Sequence, residues 1–263
     1  MTAIRIEARP ARFGRATRGR WPALVALGVV AVLGATGARA DAEAEAPLAT
    51  LAAPVKGDAA SCGFDECAMG NLIAEAMLAH AASEADGSGP PRIAVAIVPA
   101  DAIAGPLAAG PVARADLRAV LPEAARLVRF DLTGAELLAA LEQGASGPGP
   151  LLQVAGLRYA FDPDLPAGQR VSEVRLWRPA GTVMVRHGNE WNLMHQSARW
   201  LRLDPAARYL VVATDALRRE MAGFGMPASE PAQDGPPLLD VVAAYLRMRA
   251  TDAPLLDGRI TRR

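Results

Sequence analysis

The stretch from Cys62 to His80, CGFDECAMGNLIAEAMLAH, limits the fold more than any other in this chain. Asp65 is placed to cap a helix running from about Glu66 to His80, with the Glu66 carboxylate in the positive first turn. Leu72, Ile73, Ala76, Met77 and His80 then share one face, the spacing of a helix laid against a core. Gly70, at the margin of that face, lets another backbone approach closely. Two cysteines five apart straddle the helix start, compatible with a disulfide, a metal pair or two unrelated thiols. The compartment decides among these.

An arginine-rich leader, Arg5 to Arg20, precedes an apolar run from Trp21 to Thr36 and then Ala38-Arg39-Ala40, a small-x-small motif before Asp41. This predicts a signal peptide over residues 1–40 and a periplasmic or secreted protein. As a retained anchor the run is shorter than the roughly 20 apolar residues a span needs, so no membrane span is expected after cleavage. The leader lacks a twin-arginine pair, which points to the general secretory route. In an oxidising compartment the only two cysteines, Cys62 and Cys67, are expected to form a disulfide. Both cannot sit inside one continuous helix, because that separation is too long for the bond, so Cys62 must lie outside it and turn back. A zinc pair is the weaker alternative, since His80, His187 and His195 are not spaced to complete a site.

Residues 41–60, rich in alanine, proline and acidic side chains, read as a flexible mature N-terminus. The organised chain, residues 61–263, then interleaves helices and strands. Ile93 to Val98 is a buried strand ended by Pro99, Asp116 to Leu121 a short helix stopped by Pro122, and Leu127 to Leu132 an alternating strand. Thr133 and Glu136 form a capping box that opens a helix to about Gln143, burying Leu137, Leu138 and Leu141. Gly144 to Pro150 breaks the chain. Leu151 to Phe161 reads as one strand, hairpinned through Asp162 to Gln169 onto Val171 to Trp177. Tyr209 to Thr214 is a further strand, followed by a short helix, and Leu238 to Met248 is a final amphipathic helix. The expected class is α+β, a single domain with a mixed β-sheet and packed helices.

The tract between Pro179 and Arg202 gathers Trp191, Trp200, His187, His195, Asn189 and Asn192. It suits either a ligand platform or a surface hairpin whose tryptophans cover the sheet. The second is expected, because bulky aromatics most often pack. Lys+Arg and Asp+Glu balance at 28 each, and no aromatic-studded basic patch argues for nucleic acid, so it is not an expected partner.

In this order the segments resemble the C-terminal domain of the 5′-nucleotidase and UDP-sugar hydrolase family. CGFDECAMGNLIAEAM is similar to the family's ECxxGNLIADAM signature with its paired cysteines. GPVARADLRAVLP, FDLTGAELLAALE, LLQVAGLRYAFD, PAGQRVSEVRL and DVVAAYLRMRATDAPLLDGRI continue the match over about Cys62 to Ile260. The resemblance implies a domain that does not itself carry the chemistry. Hydrolysis in the family belongs to an N-terminal metallophosphatase domain, where two metals clamp phosphate and activate water. The sequence before Cys62 is too short to hold that domain, and no His-x-His or Asn-His motif is present, so neither catalysis nor a bound metal or cofactor is expected of this chain.

The family's C-terminal domain binds substrate through arginines on phosphate and two phenylalanines around the base. Matching by the flanking motifs places Gly63 at the arginine between the cysteines. Pro99 and Ala104 stand at the Asn and Arg of the turn after the first strand, Glu123 and Ala216 at the stacking phenylalanines, and Ala222 at the aspartate of a glycine-rich turn. Glycine and alanine offer neither a cation for phosphate nor a π face for a base. Asp101, Glu123, Arg126 and Asp215 are the remaining polar candidates to line a changed small-molecule cleft. A separately encoded metallophosphatase or another periplasmic protein is the partner this pattern suggests.

Overall fold

A computed structural model describes residues 46–84, 93–121, 124–146, 151–187, 190–223, 232–249 and 256–263. The signal peptide expected over residues 1–40 lies outside them, as do Glu123 and most of the loop read between Glu84 and Pro91. The elements in chain order are β1 (Ala49–Leu51), α1 (Ala59–Cys62), α2 (Ala68–Ser83), β2 (Ala94–Pro99), β3 (Gly110–Val112), α3 (Arg114–Val120), β4 (Arg126–Thr133) and α4 (Gly134–Ser146). They continue with β5 (Leu152–Ala155), β6 (Leu157–Phe161), β7 (Val171–Arg178), β8 (Gly181–His187), β9 (Glu190–Gln196), β10 (Arg199–Arg202) and β11 (Arg208–Thr214). The last are α5 (Asp215–Gly223), β12 (Gln233–Pro237), α6 (Leu238–Met248) and β13 (Ile260–Arg262).

A five-stranded mixed sheet, in the order β12-β4-β11-β2-β5, forms the centre. Only β2 and β11 run parallel; the other neighbours are antiparallel. Strand alternation divides the core in two. Ala96, Val98, Ala155 and Val212 face α2 and α6, and the small side chains let those helices come close. Val95, Ile97, Val154, Val211 and Phe130 face the opposite way, onto α4, α5 and a second sheet of order β10-β7-β6-β13. The class read from the sequence, α+β in one domain with a mixed sheet, is the class observed.

The signature helix differs in detail from its sequence reading. It begins at Ala68, and its N-cap is Cys67, whose Sγ accepts from the Gly70 amide at 3.2 Å. Asp65 and Glu66 belong to the preceding loop. The disulfide is the reason: Cys62 ends the one-turn α1 and is bonded to Cys67, which holds the intervening residues out of helical geometry. Leu72, Ile73, Ala76 and Met77 are buried as expected, whereas His80 is half-buried beside Glu84 at 3.3 Å. Gly70 does meet a close neighbour, but it is a side chain rather than a backbone. A Cβ there would lie 2.5 Å from Gln153 Cγ.

Three further readings need correction. The stretch 41–60 is not a tether throughout: β1 pairs with β3, Val55 bridges Leu107, and Leu48, Leu51 and Val55 are buried. Each apolar residue there is separated by Ala, Pro or Thr, which hid the strand. Leu151 to Phe161 is two strands in two sheets, divided at Gly156, whose φ of 76° turns the chain where a side chain would strike the Ala94 carbonyl. The capping box forms, with the Thr133 amide on Glu136 at 2.7 Å and the Glu136 amide on Thr133 Oγ1 at 3.2 Å. Its helix runs past Gly144 to Ser146, however, because Glu142 accepts from the Arg170 and Val171 amides and Ala145 is buried.

The closing segment returns under α2. The Arg259 side chain, 9% exposed, bonds Asp257 at 2.8 Å and Glu75 at 2.6 Å, donates to the Val154 carbonyl and lies 3.9 Å from Glu66. Burial works against its charge, but these carboxylates outweigh it and raise its pKa further. Burial and the Glu75 carboxylate push the Tyr245 hydroxyl up to about 12, so it stays protonated and donates to Glu75 at 2.9 Å. Among the described residues no helix is long and apolar enough to cross a membrane.

Two measurements test these contacts. Gly70→Ala in an exposed helix gains up to about 1 kcal/mol, but against Gln153 it is expected to cost about 1–3 kcal/mol by urea unfolding. Adding Gln153→Ala should recover part of that overpacking in a double-mutant cycle; strict additivity would refute the steric account. Arg259→Met removes a buried cation from Glu75 and Asp257, whose carboxylates remain partly in water, and is expected to lower stability by about 1–3 kcal/mol. A change within 0.5 kcal/mol, roughly a surface effect, would show the cluster to be solvated.

Candidate functional site

The described cleft candidates meet at one end of the five-stranded sheet. Because β2 and β11 are parallel and β4 is antiparallel to β11, the C-terminal ends of β2 and β11 and the N-terminal end of β4 lie side by side. Asp101 follows β2 in a 3-10 turn, Ala100–Ala102, and is exposed. Arg126 opens β4, and Asp215 opens α5 directly after β11. The Arg126 amide donates to Asp215 Oδ1 at 3.1 Å, while its guanidinium turns to the Gly235 carbonyl at 2.9 Å. Asp215 also holds Arg219 at 3.2 Å. Arg126 and Asp215 are therefore joined; no direct bond links Asp101 to either of them among the described residues.

Asp215 sits in the first turn of α5, behind Thr214, whose Oγ1 accepts from the Leu217 amide at 3.2 Å. Burial alone would raise its carboxyl pKa, but the Arg126 amide and the Arg219 charge prevail and hold it below the usual aspartate range. The pair thus works as a helix start and strand anchor, with the Arg126 guanidinium already on a carbonyl.

The positions where the resembled family holds its ligand are sparse. Gly63 is half-buried within the disulfide loop, and Ala104, Ala216 and Ala222 are exposed. Beside Gly63 stands Phe64, 66% exposed on a loop that cannot relax because Gln153 grips it from below. Gln153 is fully buried: Nε2 donates to the Cys62 carbonyl at 2.6 Å and to the Asp65 carbonyl at 2.8 Å, and Oε1 accepts from the Cys67 amide at 3.1 Å. Sequence reasoning passed over Gln153, although a lone amide inside the apolar run LLQVAG was the available signal. Among the described residues no group of three or more His, Cys, Asp or Glu side chains is placed to hold a metal ion. The residues at this end of the sheet do not fit the two-metal centre of the resembled family.

Of the atypical tract, Trp200 lies on the second sheet with its ring 5.3 Å from that of Trp177 on β7. The tract forms the β8–β9 hairpin and β10, matching the expected surface hairpin, and Trp200 covers the sheet. The side chains of Trp191, His187, His195, Asn189 and Asn192 lie outside the described set.

Comparison with known proteins decides the family. The family described as 5′-nucleotidase, C-terminal domain, matches residues 42–229. This chain belongs to that family. The match begins upstream of Cys62, in agreement with β1 being part of the fold. A 5′-nucleotidase precursor from Thermus thermophilus superposes with a TM-score of 0.66 at 27% identity, over 88% of this chain and 42% of that one. The trifunctional nucleotide phosphoesterase protein of Bacillus subtilis is 37% identical over 120 residues, 44% of this chain and 8% of its own length. The 5′-nucleotidase of Bos taurus is 27% identical over 213 residues, 78% of this chain and 35% of its own. The chain therefore spans less than half of each of these relatives.

The depressed Asp215 pKa sets a pH test. A carboxyl whose folded pKa lies below its unfolded value near 4 adds stability that is complete above that value and is lost as pH falls through the folded pKa. Asp215→Asn should cost about 0.5–1 kcal/mol at pH 7 and flatten the acid limb of stability against pH. An unchanged acid limb would remove Asp215 as its source.

Proposed function

We propose that this is an exported, non-catalytic member of the 5′-nucleotidase C-terminal domain family that acts as a binding or partner module. The observation that carries the reading is the chemistry at the sheet end. Gly63, Ala104, Ala216 and Ala222 stand where the resembled family places phosphate cations, a stacking ring and a turn aspartate. A nucleotide site needs charged donors and a π face, each worth about 1–3 kcal/mol, and these positions supply neither. Export is supported by the arginine-rich leader, the apolar run and Ala38-Arg39-Ala40, together with a disulfide that suits an oxidising compartment.

A second reading makes the chain the accessory, substrate-side subunit of a two-chain nucleotidase-type hydrolase. Phe64 favours it, as an aromatic held rigidly in the open at the end of the sheet where the candidate residues gather. Rigid, exposed aromatics lose little entropy on docking and are frequent anchors of interfaces.

One assay separates the readings. The purified chain, incubated with AMP and Mg²⁺, Mn²⁺ or Zn²⁺, is expected to release no phosphate, and metal-dependent release would overturn the non-catalytic proposal. Mixed with a metallophosphatase domain encoded beside it, a rise in that domain's kcat/KM that Phe64→Ala abolishes would establish the accessory role. No rise would leave the independent module as the reading.

A further inference from the structure

We propose that the outer face of the four-stranded sheet is a docking site for an acidic segment of a partner protein. This goes beyond the reading above, since it concerns a different sheet and holds whether or not the sheet end receives a hydrolase domain.

The face is assembled from strands far apart in sequence. Leu157, Leu176 and Leu201 are opposite one another across β6, β7 and β10, with Leu157 and Leu176 buried toward α4. Their neighbours point outward. Arg158 pairs with Arg175, and Arg175 pairs with Arg202, so three guanidinium groups form one row across three adjacent strands. Two residues along β7, Trp177 is 38% exposed and opposes Trp200. The Arg158 guanidinium sits 4.3 Å above the Trp200 ring, which joins the cationic row to the aromatic pair.

Internal compensation of this row is incomplete. Arg158 is 4.0 Å from Asp257, a long contact on a half-exposed pair. Arg175 and Arg202 are exposed, and among the described residues neither has a carboxylate within salt-bridge reach. Like charges opposite one another weaken a sheet, and an incoming carboxylate relieves that repulsion with the bidentate geometry guanidinium offers. Arginine and tryptophan are also the residues most enriched where interface energy concentrates.

The occupant follows from shape and charge. Beside the row lies an open hollow of about 280 Å³, bounded by Glu173, Val174, Arg175, Arg202 and Leu203. It has room for a partner side chain but does not enclose a drug-sized ligand. Glu173, bonded to Arg263, and Asp257 border the row with negative charge, and the whole chain is neutral. That mixture opposes the long phosphate backbone of a nucleic acid, whose binding rests on summed positive field. It suits a peptide with a few carboxylates for the arginines and apolar side chains for the tryptophans. The β8–β9 ribbon, which leaves from β7 and returns into β10, pairs with no other strand among the described residues.

The test uses three fluorescently labelled probes on the purified full chain: a twelve-residue Glu-Leu repeat peptide, its Lys-Leu counterpart and a twelve-nucleotide oligothymidylate. Anisotropy is read at two salt concentrations, with Trp fluorescence as a second signal. The Glu-Leu peptide is expected to bind saturably, more weakly at higher salt, and at least ten-fold more weakly to the Arg175→Glu, Arg202→Glu double variant. Arg175→Lys with Arg202→Lys should retain most of the binding, and Trp177→Ala should weaken it. An unchanged thermal midpoint for each variant confirms that the fold is intact. The proposal is overturned if the Glu-Leu peptide does not saturate, if charge reversal leaves its binding intact, or if the Lys-Leu peptide or the oligothymidylate binds as tightly.

Discussion

The amide side chain of Gln153 is the contact on which the rest of the fold depends. One group reaches three backbone atoms of the disulfide loop while fully excluded from water. Each buried polar atom left without a partner costs about 1–3 kcal/mol, so the loop, the amide and the strand that carries it are specified together. The disulfide closes a short loop and by chain entropy contributes on the order of 2 kcal/mol. Its larger consequence is geometric: it presents the Cys62 and Asp65 carbonyls and the Cys67 amide to a single side chain. Gly70 is then required, because the Gln153 stem fills the space a Cβ would take. Gly57 is constrained likewise against Met69 and the Cys62 sulfur. Helix α2 is thus positioned on β5 at its first turn, and its apolar face determines how β2 and β11 pack below it.

A second clasp fixes the other side of the same helix. Glu66, in the loop before α2, accepts from the Asn71 side chain at 2.7 Å and from the Asp257 amide at 2.9 Å. Arg259 then gathers Glu75 and Asp257 and reaches the Val154 carbonyl on β5. The Cys-to-Asn signature is therefore a junction: Gln153 engages it from β5, and the chain's last segment engages it from outside. The desolvation of a buried arginine is offset only because several acceptors converge on it. This makes the C-terminal segment a structural part of the domain despite its short β13.

Legibility in the sequence followed the range of the physics involved. Helix α6 could be read to its boundaries because an amphipathic repeat and Pro237 lie within a few residues of one another. The Thr133–Glu136 box could be read because its two partners are local. What could not be read were choices made by distant residues. Nothing near Asp65 says that Cys67 will cap α2; that follows from a bond and from an amide on β5. Nothing near Leu48 says that β1 has a partner at Val112. At the candidate site, Arg126 and Asp215 could be placed in one cleft only through the family resemblance; their shared sheet end and their amide-to-carboxylate bond depend on the register of β4 and β11. The arginine row was invisible for the same reason: Arg158, Arg175 and Arg202 become neighbours only once the register of β6, β7 and β10 is set.

The two kinds of position in this chain also differ in how tightly they are coupled. Gly70, Gln153, Cys62 and Cys67 share one packed volume, so altering any of them strains the others, and effects in such a set do not add. Gly63, Ala104, Ala216 and Ala222 share no such volume; three are exposed and the fourth stands in a loop held by its neighbours. Each can be a small residue without disturbing the sheet, because a ligand contact at the end of a strand holds the ligand and not the strand. A fold built in this way can lose a ligand site position by position while its scaffold contacts remain a single unit. The outer face of the second sheet obeys the same rule. Leu157 and Leu176 are bound into the core, whereas among the described residues Arg175 and Arg202 have no carboxylate partner, which leaves them to what docks from outside.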